Sequence, residues 1–91
     1  ASTIIRYLLP DKPVIVLNKE NGNVKISARG TTELIAKGLD LSVAIRESAQ
    51  KAGGNGGGHK IASGGMIPGG SEKVFLMAAN DIIGRQLDGR V

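Results

Sequence analysis

The sequence predicts a small α/β (α+β) domain: a mixed β-sheet with a β-hairpin, about three to four helices packed on it, and a glycine-rich loop at one edge. Three observations predict this class. The 91 residues are 41% hydrophobic and 22% charged, which suits one globular core, so residues 1–91 are expected to form a single domain. Two strand-like runs flank an Asn-Gly pair, a strong hairpin signal. Other segments repeat apolar residues at helical spacing behind helix-capping residues.

The N-terminal segment is predicted as a short helix. Its apolar residues recur at helical spacing after Ser2, which is a good N-cap type, and Pro10 disfavours a helical conformation at the residue before it. A strand with period two also fits so brief a stretch. The apolar residues are Ile4, Ile5, Leu8 and Leu9.

The next segment is predicted as a β-hairpin. The run from Val14 to Leu17 is continuously apolar and mostly β-branched, which is typical of a strand buried on both faces. From Val24 onward apolar and polar residues alternate, which predicts a second strand with one buried face. Asn21 and Gly22 would supply the turn.

Two helices are predicted after the hairpin. Thr31 or Thr32 caps a brief one that ends at Gly38. Asp40 caps a longer one that ends before Gly53. The predicted apolar face of the longer helix contains Leu41, Ala44, Ile45, Ser48, Ala49 and Ala52.

The last part of the chain is predicted to end in a third helix. Residues 62–68 are glycine-rich and are expected to form no more than a turn and an edge or closely approached strand. Ser71 opens the final helix. The apolar stripe of that helix contains Phe75, Ala78, Ala79, Ile82 and Ile83.

The most informative segment is residues 53–62, which hold five of the fourteen glycines and the single histidine. Glycine lets a ligand touch the main chain, and consecutive backbone N–H groups in a turn form an anion-binding concavity. A flexible linker is the alternative. The segment lacks serine padding and joins two helix-like stretches, which favours a loop that binds phosphate or a nucleotide. Its candidate ligand-binding residues are Gly56, Gly57, Gly58 and His59.

Ser27 and Arg29 form a second candidate group. They lie two residues apart on the predicted strand, so both side chains project from the same face, next to the turn at Gly30. The planar guanidinium of arginine suits bidentate recognition of phosphate. Taken singly, Arg29 is explained as well by a solvated strand end or an ion pair.

Composition excludes several classes of function. The chain has no cysteine, one histidine and scattered acids, so neither a disulfide framework nor a metal or cofactor site is expected in this domain. No pair of nucleophile and base is visible, so catalysis by this chain alone is not expected. No apolar run is long enough to span a membrane and no export signal is visible, which predicts a cytoplasmic location. The net charge of +4 favours anionic partners.

Two motifs together carry a family resemblance. Residues 24–30 read Val-Lys-Ile-Ser-Ala-Arg-Gly, and residues 53–65 read Gly-Gly-Asn-Gly-Gly-Gly-His-Lys-Ile-Ala-Ser-Gly-Gly. The combination resembles the DHH-associated C-terminal domain of the DHH phosphoesterases, most of all the RecJ-like single-strand-specific exonucleases of archaea. The resemblance extends from about Ile4 to Leu87. The sequence departs from the family at Ser63, where alanine is common.

The resemblance implies that the chain is a C-terminal fragment of a larger enzyme. The N-terminal catalytic domain of that family carries an Asp-His-His motif, absent from this sequence, and binds two divalent metals, usually manganese. The family's arginine matches Arg29, and its glycine-histidine motif matches Gly56 to His59. These residues are thereby implied to hold nucleotide phosphate near the metals, with single-stranded DNA or RNA as the partner.

Other functions stay open at the level of sequence. A domain of the same superfamily would act on short oligonucleotides or a cyclic dinucleotide. Alanyl-tRNA synthetases carry a related C-terminal domain, which suggests tRNA binding, although their glycine-rich loop generally lacks a histidine at the position of His59. Archaeal RecJ-like proteins are associated with the GINS complex of the replication machinery, which suggests a docking module.

Overall fold

In a computed structural model, which describes the backbone of residues 3–7 and all atoms of residues 13–88, one antiparallel sheet carries helices on one face. The strand order is β1-β2-β3-β5-β4, and each described strand pair is antiparallel. The predicted α+β class is confirmed, with three helices and with an antiparallel rather than a mixed sheet among the described strands. The elements are β1 (Thr3–Tyr7), β2 (Val14–Glu20), β3 (Asn23–Arg29), α1 (Thr32–Ala36), α2 (Leu41–Lys51), β4 (Asn55–Gly58), β5 (Ala62–Pro68) and α3 (Glu72–Asp88).

The N-terminal segment is a strand, so the prediction of a short helix was wrong and the alternative of a strand is the observed one. β1 pairs with β2 in a register that sets Ile5 opposite Leu17. A helix of five residues is marginal by itself because nucleation is unfavourable, whereas an added strand pairs the backbone groups along the free edge of β2. Ser2, the predicted N-cap, and residues 8–10 lie outside the described part of the chain.

The predicted β-hairpin is confirmed. Asn21 and Gly22 have φ angles of 47° and 83°, and a type I′ turn requires positive φ at both central residues. β2 is not buried on both faces as predicted, because the helices cover only one side of the sheet. Ile15 and Leu17 are buried there, while Val14 and Val16 face the other side and are half-exposed.

Both predicted helices after the hairpin are confirmed. The hydroxyl oxygen of Thr31 accepts the N–H of Leu34 at 3.1 Å and caps α1. Asp40 caps α2, and Gly53, beyond its last turn, has a φ of 91°. All six residues of the predicted apolar face of α2 are buried. In α3, Phe75, Ala79 and Ile83 are buried, and Ala78 and Ile82 are half-buried.

The glycine-rich segment is a strand rather than a loop, which corrects the sequence-based prediction. β4 pairs with β5, and β5 is a seven-residue interior strand between β3 and β4. The missing side chains let the backbone approach its neighbours. A Cβ on Gly56 would lie 3.1 Å from Cγ2 of Ile45 on α2, and one on Gly54 would lie 1.9 Å from the carbonyl oxygen of Met66. Glycine is therefore required at these two positions, where the backbone packs closely against α2 or β5.

Candidate phosphate-binding site

The sheet has one face without helices, and the candidate residues of β3 lie on it. Val24, Ile26 and Ala28 are buried against the helices, whereas Ser27 and Arg29 alternate with them and are exposed. The period of two in the sequence thus separates the core from a polar surface. This surface is called the open face below.

The strand register brings distant parts of the chain into rows on the open face. Ser27 pairs with Gly64 on β5, and Gly64 pairs in turn with Gly57 on β4. Arg29 pairs with Ala62 one step further along. Because neighbouring strands lie about 4.8 Å apart, Ser27 and Gly57 are separated by roughly 10 Å.

A shallow depression of about 230 Å³ lies where these rows meet. Its floor consists of small residues, so main-chain atoms are accessible at its base. The volume is below the range of about 300 to 1,000 Å³ that is usual for drug-sized ligands. The lining residues are Ser27, Ala28, Arg29, Gly57, Gly58, Ala62, Ser63 and Gly64.

The turn between β4 and β5 is fixed by main-chain hydrogen bonds. The N–H of His59 donates to the carbonyl oxygen of Ala62 at 2.7 Å, which closes a two-residue turn of Lys60 and Ile61. The carbonyl oxygen of Lys60 accepts the N–H of Leu41 at 3.0 Å, at the start of α2. The carbonyl oxygen of Ile61 accepts the N–H of Gly30 at 2.8 Å, just after β3. His59 is therefore held on a rigid hairpin, and its side chain is exposed.

The amides of the glycine strand point in alternating directions. Since the pair of His59 and Ala62 is hydrogen-bonded, alternation along an antiparallel ladder directs the N–H of Gly57 towards β5. The N–H groups of Gly56 and Gly58 then point away from β5, at the outer edge of the sheet. The backbone donors directed towards this edge are therefore those of Gly56 and Gly58.

The six predicted binding residues occupy different positions relative to the depression. Ser27, Arg29, Gly57 and Gly58 line it. Gly56 faces α2 on the covered side of the sheet, and His59 flanks the depression without lining it.

Ala62, Ser63 and Gly64 also line the depression, although sequence analysis gave them no ligand-binding role. Their small size beside the glycine run was the available signal. The hydroxyl of Ser63, where the resembling family commonly has alanine, donates to the carbonyl oxygen of His59 at 2.8 Å. Ser63 thus supports the hairpin.

The electrostatic surroundings of the depression favour an anion. β3, β4 and β5 contain no acidic residue, and Arg29 lies on the open face. The carboxylate of Asp40, at the start of α2, has a structural role. The Ser42 hydroxyl and the N–H groups of Ser42 and Val43 lower the pKa of Asp40, with a smaller contribution from the charge of Lys60, while partial burial opposes this shift. The Asp40 carboxylate is thus occupied as a helix cap.

The resemblance implies manganese in the N-terminal catalytic domain of that family, and the residues at the depression do not suit a manganese ion. Manganese prefers oxygen ligands that include carboxylates, whereas the lining of the depression has a guanidinium cation and no carboxylate. Within residues 3–7 and 13–88, no group of three or more histidine, cysteine, aspartate or glutamate residues could hold a metal ion.

No helix in the same residues is long and apolar enough to cross a bilayer.

Comparisons with known proteins agree with the sequence motifs. The sequence model of the DHHA1 domain matches residues 4–85. An uncharacterized protein of Methanocaldococcus jannaschii is 45% identical over 84 residues, which are 92% of this chain and 19% of that protein. The chain thus spans about a fifth of the length of this relative.

The fold is also similar to a solved structure. The C-Ala domain of alanyl-tRNA synthetase from Aquifex aeolicus superposes with a TM-score of 0.63. The two are 17% identical, and the match covers 82% of this chain and 65% of the other. At this level of identity the similarity concerns the fold.

Proposed function

Because the chain belongs to the DHHA1 domain family, we propose that it is the substrate-binding domain of a metal-dependent DHH-family phosphoesterase and holds the phosphate backbone of single-stranded nucleic acid. The observation that carries the proposal is the convergence of Ser27 and Arg29 from β3 with Gly57 and Gly58 from β4 around one depression. Manganese and the residues that cleave the phosphodiester would belong to a catalytic domain elsewhere in the parent protein.

Each group at the depression has a distinct role in this proposal. The guanidinium of Arg29 donates two parallel hydrogen bonds to phosphate oxygens, and the hydroxyl of Ser27 donates a third. Gly57 carries no side chain, so the phosphate approaches the sheet closely. His59 donates from the rigid hairpin at the border of the depression. Together these groups fix one phosphate in position and read no base.

Substitution of Arg29 tests this role. Arg29→Ala removes charge-assisted hydrogen bonds worth about 1.5 to 3 kcal/mol, so the affinity for single-stranded DNA should fall about 10- to 150-fold. Arg46→Ala is the matched control, because Arg46 is an exposed arginine on α2, away from the open face. His59→Ala should also weaken binding. If both residues hold the same phosphate, the double variant should lose less than the sum of the two single losses.

Amide chemical-shift mapping with a short oligonucleotide locates the binding surface independently of mutation. Shifts at residues 56–64 and on β3 are expected. Shifts confined to α3, with equal affinities for Arg29→Ala and Arg46→Ala, would refute the proposed site and favour a docking module.

A second candidate function is tRNA binding, which the fold shared with the C-Ala domain of an alanyl-tRNA synthetase favours. Competition distinguishes the two. If the chain binds the backbone of single strands, an unstructured oligonucleotide should displace bound tRNA. The concentration needed, counted per binding site, should be similar to that of tRNA itself. A preference for folded tRNA of 100-fold or more would support the second candidate.

A further inference from the structure

We propose that Lys25, Met66 and Asn55 form a second nucleotide subsite beside the phosphate site, so that the ligand is an oligonucleotide lying along β3. This inference rests on the proposed function and specifies its substrate class. The three residues form one row across three strands, because Met66 pairs with Lys25 on β3 and with Asn55 on β4. The row lies two residues from the row of Ser27, Gly64 and Gly57, so its side chains share the open face.

The exposed apolar surface in this row is unusual for these strands. Met66 is 43% exposed and is the one large apolar side chain exposed on β3, β4 and β5. A thioether is polarisable and makes favourable contacts with aromatic rings, which includes the faces of nucleobases. Phe75 is fully buried and offers no ring for stacking. Met66 is therefore the group on these strands against which a base would pack.

The residues on either side of Met66 add polar recognition. Asn55 is exposed, and its amide both donates and accepts hydrogen bonds, as the edge of a base requires. Lys25 is exposed and makes no ion pair among residues 13–88. Its ammonium group is a compact point charge, which can contact a phosphate from many directions. A base on Met66 would thus have a hydrogen-bonding group on one side and a cation on the other.

The spacing of the two cations indicates more than one phosphate. Lys25 and Arg29 are four residues apart on β3, which separates their Cα atoms by roughly 13 Å. The two cations then suit different phosphates of one chain. The row between the two cations has no side chain at Gly64 on β5 or at Gly57 on β4. A sugar and its phosphate would therefore lie across this row and connect the two subsites.

Ligand length separates this subsite from the phosphate site. Affinities are measured for a mononucleotide and for single-stranded DNA of two, four and six nucleotides. Lys25→Ala and Met66→Ala should each weaken binding of the hexanucleotide at least threefold and leave binding of the mononucleotide unchanged. Arg29→Ala should weaken binding of every ligand. Lys73→Ala and Met77→Ala are matched controls, because both residues are exposed on α3.

Salt dependence distinguishes the roles of the two residues. Lys25→Ala should reduce the slope of log affinity against log salt concentration by about 0.7, the value for one phosphate contact on a single strand. Met66→Ala should lower the affinity and leave that slope unchanged. Equal losses for the mononucleotide and the hexanucleotide, or losses no larger than those of the α3 controls, would overturn the second subsite while Arg29→Ala still defines the first. An absence of binding by every ligand would overturn the proposed function together with the subsite.

Discussion

At the scale of single residues, the glycines of β4 and β5 differ in the space that surrounds an added Cβ atom. A Cβ on Gly58 would lie 2.8 Å from the carbonyl oxygen of Ala62, and one on Gly65 would lie 2.7 Å from that of Asn55. These glycines allow the backbones of β4 and β5 to approach each other closely. At Gly57, in contrast, an added Cβ meets no atom within 4 Å. Gly57 therefore leaves space for something outside the fold, and the depression is that space.

Gly57→Val should separate binding from folding. The branched side chain would project into the depression and block the approach of a phosphate, so oligonucleotide binding should fall by tenfold or more. The φ of Gly57 is 159°, at the edge of the region that favours glycine, so a cost of about 1 kcal/mol in the free energy of unfolding is expected. Isothermal titration with single-stranded DNA and urea unfolding provide the two measurements.

Gly54→Ala is the control for that experiment. Its Cβ would lie 1.9 Å from a backbone oxygen, so it should destabilise the fold more than Gly57→Val does. Retained binding by a folded Gly57→Val variant would contradict the assignment of the depression.

The cap of α2 should make stability depend on acidic pH. The pKa of Asp40 is lowered from its ordinary value of 3.8, chiefly by the Ser42 hydroxyl. Its contribution to stability is therefore fully present above about pH 4 and is lost as the pH falls through the lowered value. Asp40→Asn, which still accepts hydrogen bonds as a cap, should remove this part of the acid dependence. Urea unfolding of both proteins between pH 2 and 7 measures it.

Ser42→Ala tests the cause of the shift. Without the hydroxyl, the pKa of Asp40 should lie closer to 3.8, and the acid-dependent loss should be smaller than in the unmodified chain. Identical pH profiles for all three proteins would contradict a stabilising role of the ionised cap.

At the scale of elements, α2 was predictable from sequence because its signals are local. Asp40 at the start, Gly53 beyond the end and an apolar face with helical period are all contained in fourteen consecutive residues, 40–53. The hairpin of β2 and β3 was predictable for the same reason, since Asn21 and Gly22 favour one turn type. Ser27 and Arg29 could be placed on one face from the same alternation.

Two strands were not predictable because distant partners decide their conformation. β1 has an apolar spacing that fits a helix as well as a strand, and pairing with β2 decides between them. β4 consists of an asparagine and three glycines, residues with low strand propensity, and forms by pairing with β5. Gly56 and Gly58 permit this pairing because an added Cβ at either would crowd backbone atoms of β5. The depression needs this unforeseen pairing of β4 with β5. Gly57 and Gly58 could therefore be proposed from sequence, whereas Gly64 and Ser63 opposite them could not.

A glutamine clamp fixes α2 relative to α3. Oε1 of Gln86 accepts the N–H of Asp40 at 3.0 Å, and Nε2 donates to the carbonyl oxygen of Asp40 at 3.1 Å. Gln86→Leu should leave the N–H of Asp40 without its partner, at a cost of about 1 to 3 kcal/mol, while the carbonyl oxygen of Asp40 still accepts the N–H of Ala44. Thermal unfolding should show a melting temperature lower by about 4 °C or more.

Gln50→Leu is the matched control for the clamp, because Gln50 is exposed on α2. The start of α2 also bonds the Lys60 turn, so Gln86→Leu should weaken oligonucleotide binding slightly as well. Equal melting temperatures for the two variants would show that the clamp contributes nothing to stability.

At the scale of the whole molecule, charge is distributed unevenly. The net charge is +4, and six of the seven acidic residues among residues 13–88 lie on the helices or their caps. The exception, Glu20, lies at the end of β2 next to the hairpin turn. The open face of β3, β4 and β5 thus carries cations without nearby acids on the same strands. Such a surface attracts an anionic chain at long range, and its contacts to phosphate carry no sequence information.

Binding of single-stranded DNA should therefore be sensitive to salt and tolerant of sequence. If Lys25 and Arg29 each neutralise one phosphate, log affinity should fall with log salt concentration with a slope of about −1.4. The double variant Lys25→Ala with Arg29→Ala should bring this slope close to zero. The control double variant Lys51→Ala with Lys73→Ala removes the same charge from exposed positions on helices, so the slope should not change.

Hexanucleotides of thymidine, cytidine or adenosine should bind within about tenfold of one another, since backbone contacts are shared by every sequence. Fluorescence titrations between 50 and 200 mM salt measure both properties. A slope that follows net charge rather than position, or a strong preference for one base, would contradict recognition of the backbone on the open face.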